Sequence, residues 1–306
     1  MVWSVAEMAV LTRKVCVVTG ANSGLGLEAS RQLCARGARV IMCARDPDAA
    51  NAALREVAAA GAAGGLGGAA ELVKLDLASL ASVRAFAQAF EAKALPCHVL
   101  MNNAGVMMTP FGRTADGIEQ QLGHVGHFLL TKLLLPALLR SAPSRIVNLS
   151  SSLHTACPAG GIRADLDWAD GREYDPTAAY GQSKWANVVF TRELARRLHG
   201  KPVFVNANHP GFVDTRLTRH RENSWLIKMV VPLYKRAMGA LPVEQGALTQ
   251  LFLAADPSIE RDNIRGAFYY PIALPFEPVV PQGTTMEAEQ AKLWALSERL
   301  VGETFL

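Results

Sequence analysis

Val15-Cys16-Val17-Val18-Thr19-Gly20-Ala21-Asn22-Ser23-Gly24-Leu25-Gly26 is the stretch whose reading decides the fold. Its first five residues are mostly apolar and β-branched and stop at a glycine, as a strand buried on both faces does. Residues 23–36 then carry helical spacing, with Leu25, Ala29 and Leu33 on one stripe and Gly37 closing the run. Gly20 suits a backbone conformation closed to other residues, Gly24 leaves room for backbone amides beside an anion, and Gly26 lets the helix pack closely on the strand. A helix that starts in such a turn presents free N–H groups and a partial positive charge to phosphate. Gly20, Asn22, Ser23, Gly24, Leu25 and Gly26 are therefore expected to cradle the pyrophosphate of a dinucleotide.

Downstream the alternation repeats. Short apolar runs predict strands at 39–43, 72–75, 99–101, 145–149 and 203–208, and amphipathic spacing predicts helices at 47–60, 80–91, 116–140 and 177–198. Strands alternating with helices of this length imply βαβ units joined by right-handed crossovers. The expected fold is α/β: a Rossmann-like, doubly wound parallel sheet flanked by helices in three αβα layers. One domain takes the whole chain 1–306, with a cofactor half at 14–150 and a catalytic and substrate-lid half at 151–306. The Ala/Gly-rich tract 61–70 reads as a flexible surface loop.

Composition narrows the function classes. Half of the 306 residues are hydrophobic, enough for one large core, and the net charge of +4 is scattered, with no basic run of the kind that binds nucleic acid. The five cysteines form no C-x-x-C pair and lie mostly in apolar runs, so they read as buried thiols in a reducing compartment. His124 and His127 are spaced for a metal pair but have no third ligand near them in sequence, and no metal is expected. The first fourteen residues do not read as a signal peptide and no apolar run is long enough to span a bilayer. A cytoplasmic protein, or one attached to a membrane only peripherally, is expected.

The end of the second strand bears on which dinucleotide is held. Val40-Ile41-Met42-Cys43-Ala44-Arg45-Asp46 places Ala44 where an NAD-binding fold puts a carboxylate, with Arg45 next to it. A guanidinium suits a ribose 2′-phosphate, so NADP(H) is the preferred cofactor. NAD(H) stays open through Asp46, should the register differ by two.

Tyr180-Gly181-Gln182-Ser183-Lys184 sets a phenol and an ammonium one helical turn apart on one face. A nearby ammonium is expected to draw the phenol's pKa down from about 10. A tuned phenol exchanges a proton with a carbonyl or alcohol oxygen while hydride moves at carbon. Ser151, at the end of the fifth predicted strand, can stabilise charge on the same oxygen.

With these motifs in view, the chain resembles the short-chain dehydrogenase/reductase family from about Lys14 to Leu300. The likeness rests on Thr19 to Gly26, Asp76, Asn102-Asn103-Ala104-Gly105, Ser150-Ser151, Tyr180 to Lys184 and His209-Pro210-Gly211. It implies that Asp76, with Leu77 beside it, contacts the adenine and that Asn103, Ala104 and Gly105 shape the cofactor floor. It also implies that Tyr180 and Lys184 bind at the nicotinamide ribose, with Pro210, Gly211, Val213 and Thr215 at the nicotinamide end. Among the branches it is most similar to the retinol dehydrogenase and WW-domain oxidoreductase group. Val106-Met107-Met108 after Gly105, Gly126-His127-Phe128-Leu129-Leu130-Thr131, Ala142 to Asn148 and Leu293-Trp294 carry that likeness.

One motif departs from the group. The usual Gly-Val-Asn-His-x-Gly-His-Phe is here Leu122-Gly123-His124-Val125-Gly126-His127-Phe128, so Gly123 stands where the catalytic Asn would be. Within a continuous helix, a two-residue deletion would rotate everything upstream by roughly 200°. Gln120 or Gln121 could supply the lost polar group, water could fill the gap, or turnover could be lost. Two function classes follow: an NADP(H)-dependent carbonyl/alcohol oxidoreductase, and a weakened or inactive NADP(H)-binding regulatory protein. The segment after Thr215, with Trp225-Leu226-Ile227, Met229-Val230-Val231 and interspersed arginines and lysines, reads as a substrate lid or as a helix packed on the core. A lid of this kind suits a lipophilic substrate such as retinal, a long-chain aldehyde or a steroid, and its basic side suits peripheral membrane contact. By analogy the helices at 116–140 and 177–198 would form a homodimer face.

Overall fold

The computed structural model describes residues 2–164, 168, 171, 173–213 and 240–306. Thr215 and the lid segment beyond it, through Met238, lie outside the described residues. The strands are β1 (Val15–Thr19), β2 (Arg39–Ala44), β3 (Ala69–Lys74), β4 (Val99–Asn102), β5 (Ser144–Leu149), β6 (Val203–Asn208), β7 (Phe268–Tyr270) and β8 (Leu274–Pro275). They form one sheet in the order β3-β2-β1-β4-β5-β6-β7-β8, parallel throughout except for the last pair.

Both faces are covered, which is why β1 reads as an unbroken apolar run. Val15 and Val17 join the core on one face, and Cys16 and Val18 join the core on the other. Helices α1 (Gly24–Ala35) and α2 (Asn51–Gly64) contribute to the second of these cores. Helices α3 (Leu80–Ala92), α4 (His124–Arg140) and α5 (Pro176–Arg197) contribute to the first. The chain winds outward from β1 through β2 to β3, then returns to the far side of β1 as β4. That reversal opens a crevice at the carboxyl ends of β1 and β4.

Two expectations are corrected. The long helix at 116–140 is shorter: α4 begins at His124, and Asp116 instead caps α3 by accepting from the Leu80 N–H at 2.8 Å. The tract 61–70 is not a loose loop. α2 runs to Gly64 and β3 starts at Ala69, and the glycines permit close packing on α1. A Cβ at Gly61 would lie 2.6 Å from Cys34 Sγ, and one at Gly64 would lie 2.1 Å from the Ala35 carbonyl oxygen. Periodicity also left unread the short helices α6 (Val243–Gly246), α7 (Leu248–Ala255) and α8 (Ser258–Arg261), the short β7 and β8, and α9 (Met286–Val301).

α9 is capped by Thr285, whose hydroxyl accepts from the Ala288 N–H, and is stopped by Gly302 in the left-handed region. It lies against α4 and α5, with Trp294 meeting the Phe128 ring edge-on at 5.3 Å and stacking near Phe190. All five cysteines are free and buried, and burial pushes their thiols up, Cys16 and Cys157 to about 12. Among the described residues no helix is long and apolar enough to cross a membrane.

The buried carboxylate of Glu289 joins α9 to the catalytic half. It accepts from Ile162 N at 2.7 Å, Trp185 Nε1 at 3.0 Å and Thr284 Oγ1 at 3.0 Å, and it pairs with Lys292 Nζ at 2.7 Å. Glu289→Ala leaves these buried donors without an acceptor and is expected to cost about 3 kcal/mol. A urea midpoint within error of the unsubstituted protein would refute this.

Candidate active site

The crevice is a cleft of about 1200 Å³. Its floor depends on Thr19, the last residue of β1. The Thr19 hydroxyl oxygen accepts from Asn103 N at 3.0 Å and Ala104 N at 2.9 Å, and the Asn103 side-chain amide donates to the Thr19 carbonyl at 2.8 Å. His127 Nε2 lies 3.0 Å from the same hydroxyl. The hydroxyl has the Met101 carbonyl at 3.3 Å as an acceptor as well, and burial keeps the His127 imidazole neutral with a pKa of about 3. His124, the other member of the spaced pair, has Nε2 3.0 Å from Ser297 Oγ. Among the described residues no three His, Cys, Asp or Glu side chains group as metal ligands.

The turn above this floor has no room for a side chain at Gly20 or Gly26. A Cβ at Gly26 would lie 2.3 Å from the Gly20 carbonyl oxygen and 2.5 Å from Asn103 Nδ2, and Gly20 itself sits at φ +65°. Ser23, the N-cap of α1, makes no side-chain cap, whereas Ser79, Asp175 and Thr285 cap α3, α5 and α9. The first N–H groups of α1 are thus left to whatever occupies the cleft, an arrangement that fits a phosphate.

Asn22, Ser23, Gly24, Leu25, Arg45, Asp76, Leu77, Asn103, Ala104 and Gly105 line this cleft, as do Ser151, Tyr180, Lys184, Pro210, Gly211 and Val213. Arg45 follows directly on β2 and is exposed. The Asp46 carboxylate accepts from the Ala49 N–H at 3.2 Å and so caps the next turn. Asp76 uses one oxygen on the Ala78 N–H at 3.0 Å.

At the other end of the cleft, α5 and the end of β5 bring Tyr180, Lys184 and Ser151 together. Ser150 Oγ donates to the Lys184 carbonyl at 2.7 Å, and Asn187 donates to the Leu149 carbonyl at 2.9 Å. The Ser151 hydroxyl stands beside the Tyr180 phenol and acts to lower its pKa. The Lys184 ammonium, 5.4 Å from the centre of the Tyr180 ring, has the Leu149 carbonyl at 3.4 Å. The expected lowering of the phenol's pKa by the lysine is not found. Burial pushes Tyr180 up to about 12, opposed by Ser151, and burial pulls Lys184 down to about 8.

The missing Asn takes a different form from that expected. Because α4 starts at His124, with Gly123 as its N-cap, no continuous helix is rotated. Gln121 does not replace the lost side chain: its Nε2 lies 2.5 Å from the Tyr174 hydroxyl and 3.1 Å from the Pro176 carbonyl. Gln120 lies against Gly112, where a Cβ would meet its Oε1 at 2.8 Å. Neither glutamine hydrogen-bonds Lys184 in the structure. Asn187, one turn beyond Lys184, is the amide that shares the lysine's carbonyl partner.

Gly181 is a further residue whose role went unread. A Cβ there would lie 2.5 Å from the Ala156 carbonyl carbon and 2.7 Å from Cys157 N. The turn carrying Ser151 therefore seats directly on α5 beside Tyr180. A mid-helix glycine costs about 1 kcal/mol relative to Ala, and that cost was the available signal.

A phosphate-fitting turn and a phenol–ammonium–hydroxyl group share one crevice of a doubly wound sheet, which defines a Rossmann-type oxidoreductase. The chain belongs to the short-chain dehydrogenase family, whose model matches residues 14–161 and 170–225. It is 43% identical over 300 residues to retinol dehydrogenase 14 of Homo sapiens, covering 94% of this chain and 86% of that protein. An uncharacterized protein from Mycobacterium paratuberculosis has a crystal structure similar to it along 100% of both chains, with TM-score 0.74 and 36% identity. The Pseudomonas aeruginosa RhlG/NADP active-site complex matches with TM-score 0.65 and 27% identity over 85% of this chain and 95% of that one.

Two outcomes are expected. Gly181→Ala should lower turnover on the order of 100-fold, because it forces the Ser151 turn away from Tyr180; unchanged steady-state kinetics would contradict this. Between the folded pKa of Lys184 near 8 and its unfolded value near 10.5, the unfolded chain binds more protons. Stability should therefore rise with pH in this window relative to Lys184→Met, by up to about 1.4 kcal/mol per pH unit. Urea denaturation of both proteins at matched pH values reads the difference, and a flat or falling difference would refute it.

Proposed function

We propose that the protein is an NADP(H)-dependent oxidoreductase that interconverts a carbonyl and an alcohol on a lipophilic substrate. The observation that carries this reading is the gathering of Ser151, Tyr180 and Lys184 in the same cleft as the uncapped start of α1. NADP(H), when bound, supplies or accepts the hydride. Tyr180, protonated at neutral pH, holds the proton that a carbonyl oxygen receives as it becomes an alcohol. Ser151 holds a hydroxyl beside that phenol and donates to the same oxygen. Lys184 keeps a positive charge behind the phenol below about pH 8.

Preference for NADP(H) over NAD(H) is supported by Arg45 in the cleft lining and by Asp46, whose carboxylate is engaged by Ala49. The NADP named in the RhlG complex points the same way. A lipophilic substrate is supported by Val106, Met107, Met108, Leu153 and Phe212 in the cleft lining and by the likeness to retinol dehydrogenase 14. Retinal, long-chain aldehydes and steroid-like ketones are the classes to try first. A homodimer through α4 and α5 would have to form around α9, which packs on the Phe128 and Phe190 side. Peripheral membrane contact is proposed through the basic residues of the segment after Thr215.

Gly123 favours a second reading, an NADP(H)-binding regulatory protein without turnover, since no side chain there serves Lys184. NADPH oxidation against a panel of lipophilic aldehydes and ketones separates the two. Turnover is expected, with Tyr180→Phe lowering it by at least about 100-fold and leaving NADPH binding intact. Tight NADPH binding with no oxidation of any panel member would favour the second reading.

A further inference from the structure

His154 lies beneath the cleft and is not among the residues that line it. It sits in the 3₁₀ turn Ser152–Ala156 that follows β5, for which Ser151 is the N-cap, and its side chain is fully buried. Both ring nitrogens are engaged: Nδ1 is 2.8 Å from the Ser151 carbonyl oxygen, and Nε2 is 3.2 Å from Val279 N. A backbone N–H only donates, so Nε2 must accept. Nδ1 therefore carries the ring proton and donates it to Ser151. The ring plane is set by Trp185, stacked at 6.1 Å and 21°, and by Phe268, edge-on at 5.3 Å.

We propose that His154 is a positioning residue for the reaction, its Nδ1–H holding the Ser151 carbonyl and thereby placing the Ser151 hydroxyl against Tyr180. A single 3₁₀ turn has poor hydrogen-bond geometry and little stability of its own. Apart from the Tyr180 phenol, the partners of Ser151 lie within the turn: its Oγ accepts from Leu153 N at 3.2 Å and its carbonyl from His154 N at 3.1 Å. The imidazole adds an anchor outside the turn. Through Nε2 it links Ser151 to Val279, in a segment distant in sequence, and its packing on Trp185 links the turn to α5. Rotation of this turn by a fraction of an ångström would move the Ser151 hydroxyl off the phenol, a displacement to which reaction rates are steeply sensitive. Burial holds His154 below its ordinary pKa, in keeping with an Nε2 that accepts.

Two substitutions separate positioning from packing. His154→Asn keeps a donor where Nδ1 stood but loses bulk and the Val279 contact. His154→Gln better preserves bulk and an acceptor for Val279 N but loses the donor to Ser151. The expected result is that turnover falls on the order of 10- to 100-fold in His154→Gln, with NADPH affinity unchanged. His154→Asn should stay within about threefold of wild type although its melting temperature is the lower of the two. Turnover that follows melting temperature, or that is the same in both variants, would overturn the proposal.

The inference rests on the oxidoreductase reading, so one measurement is independent of turnover. In protein labelled with ¹⁵N-histidine, the resonance lost in His154→Gln should be that of the Nδ1–H tautomer; an Nε2–H tautomer would overturn the proposal. A wild-type protein inactive on every substrate would sink the oxidoreductase reading, and the tautomer would still decide the hydrogen bond.

Discussion

The Thr19 hydroxyl is the interaction on which the rest of the site depends. It ends β1, and by accepting from Asn103 N and Ala104 N it ties the end of β1 to the end of β4, where the sheet reverses direction. The same junction brings Asn103 Nδ2 so close to Gly26 that no side chain fits there. Helix α1 can therefore start over the strand ends with its N–H groups facing the cleft. A second polar chain continues across the sheet. Asn102 donates to Asn148 at 2.8 Å, and Asn148 donates to Thr191 of α5 at 2.8 Å. Buried amides bond strongly in such surroundings, and this second chain ties α5, which carries Tyr180 and Lys184, to β4 and β5.

Burial then sets the chemistry. Removing a phenol and an ammonium from water disfavours the charged form of each, so Tyr180 moves up and Lys184 moves down. A phenol that keeps its proton at neutral pH is ready to give it to a carbonyl oxygen. Ser151, whose hydroxyl acts to lower the phenol's pKa, is the residue that moderates this. Its placement consequently matters for proton transfer as well as for binding.

Much of this was legible in the sequence because strand–turn–helix periodicity and the fixed offsets of glycine, tyrosine and lysine are local signals. The six longer strands, the glycine turn, Tyr180 and Lys184 follow from such patterns, whereas Asp76, Asn103 to Gly105 and Pro210 to Val213 were expected only from the family resemblance. What was not legible depends on contacts between distant segments. The glycines of 61–70 look like loop residues until Cys34 and Ala35 are seen against them. Residues 116–123 carry apolar spacing that suits a helix, yet Asp116 is drawn away to cap α3 and Glu119 accepts from Gln121 N at 2.8 Å in a turn. Strands of three and two residues, as in β7 and β8, are too short to show a period.

The fate of the missing Asn shows the same limit from the side of function. Read as a string, the deletion ahead of His124 implies a helix rotated out of register with everything before it. In three dimensions the helix starts at the deletion, and the preceding residues are held by Tyr174, whose hydroxyl meets Gln121, Glu119 and the Thr109 carbonyl. The deletion therefore disturbs neither the cradle nor the seating of α5. Among the described residues the Lys184 ammonium has the Leu149 carbonyl at 3.4 Å, and Asn187 donates to that same carbonyl. Burial pulls its pKa down to about 8. Gly123 therefore stands at the start of a helix, and neither the turn of the cradle nor the polar chain that reaches α5 uses a side chain there.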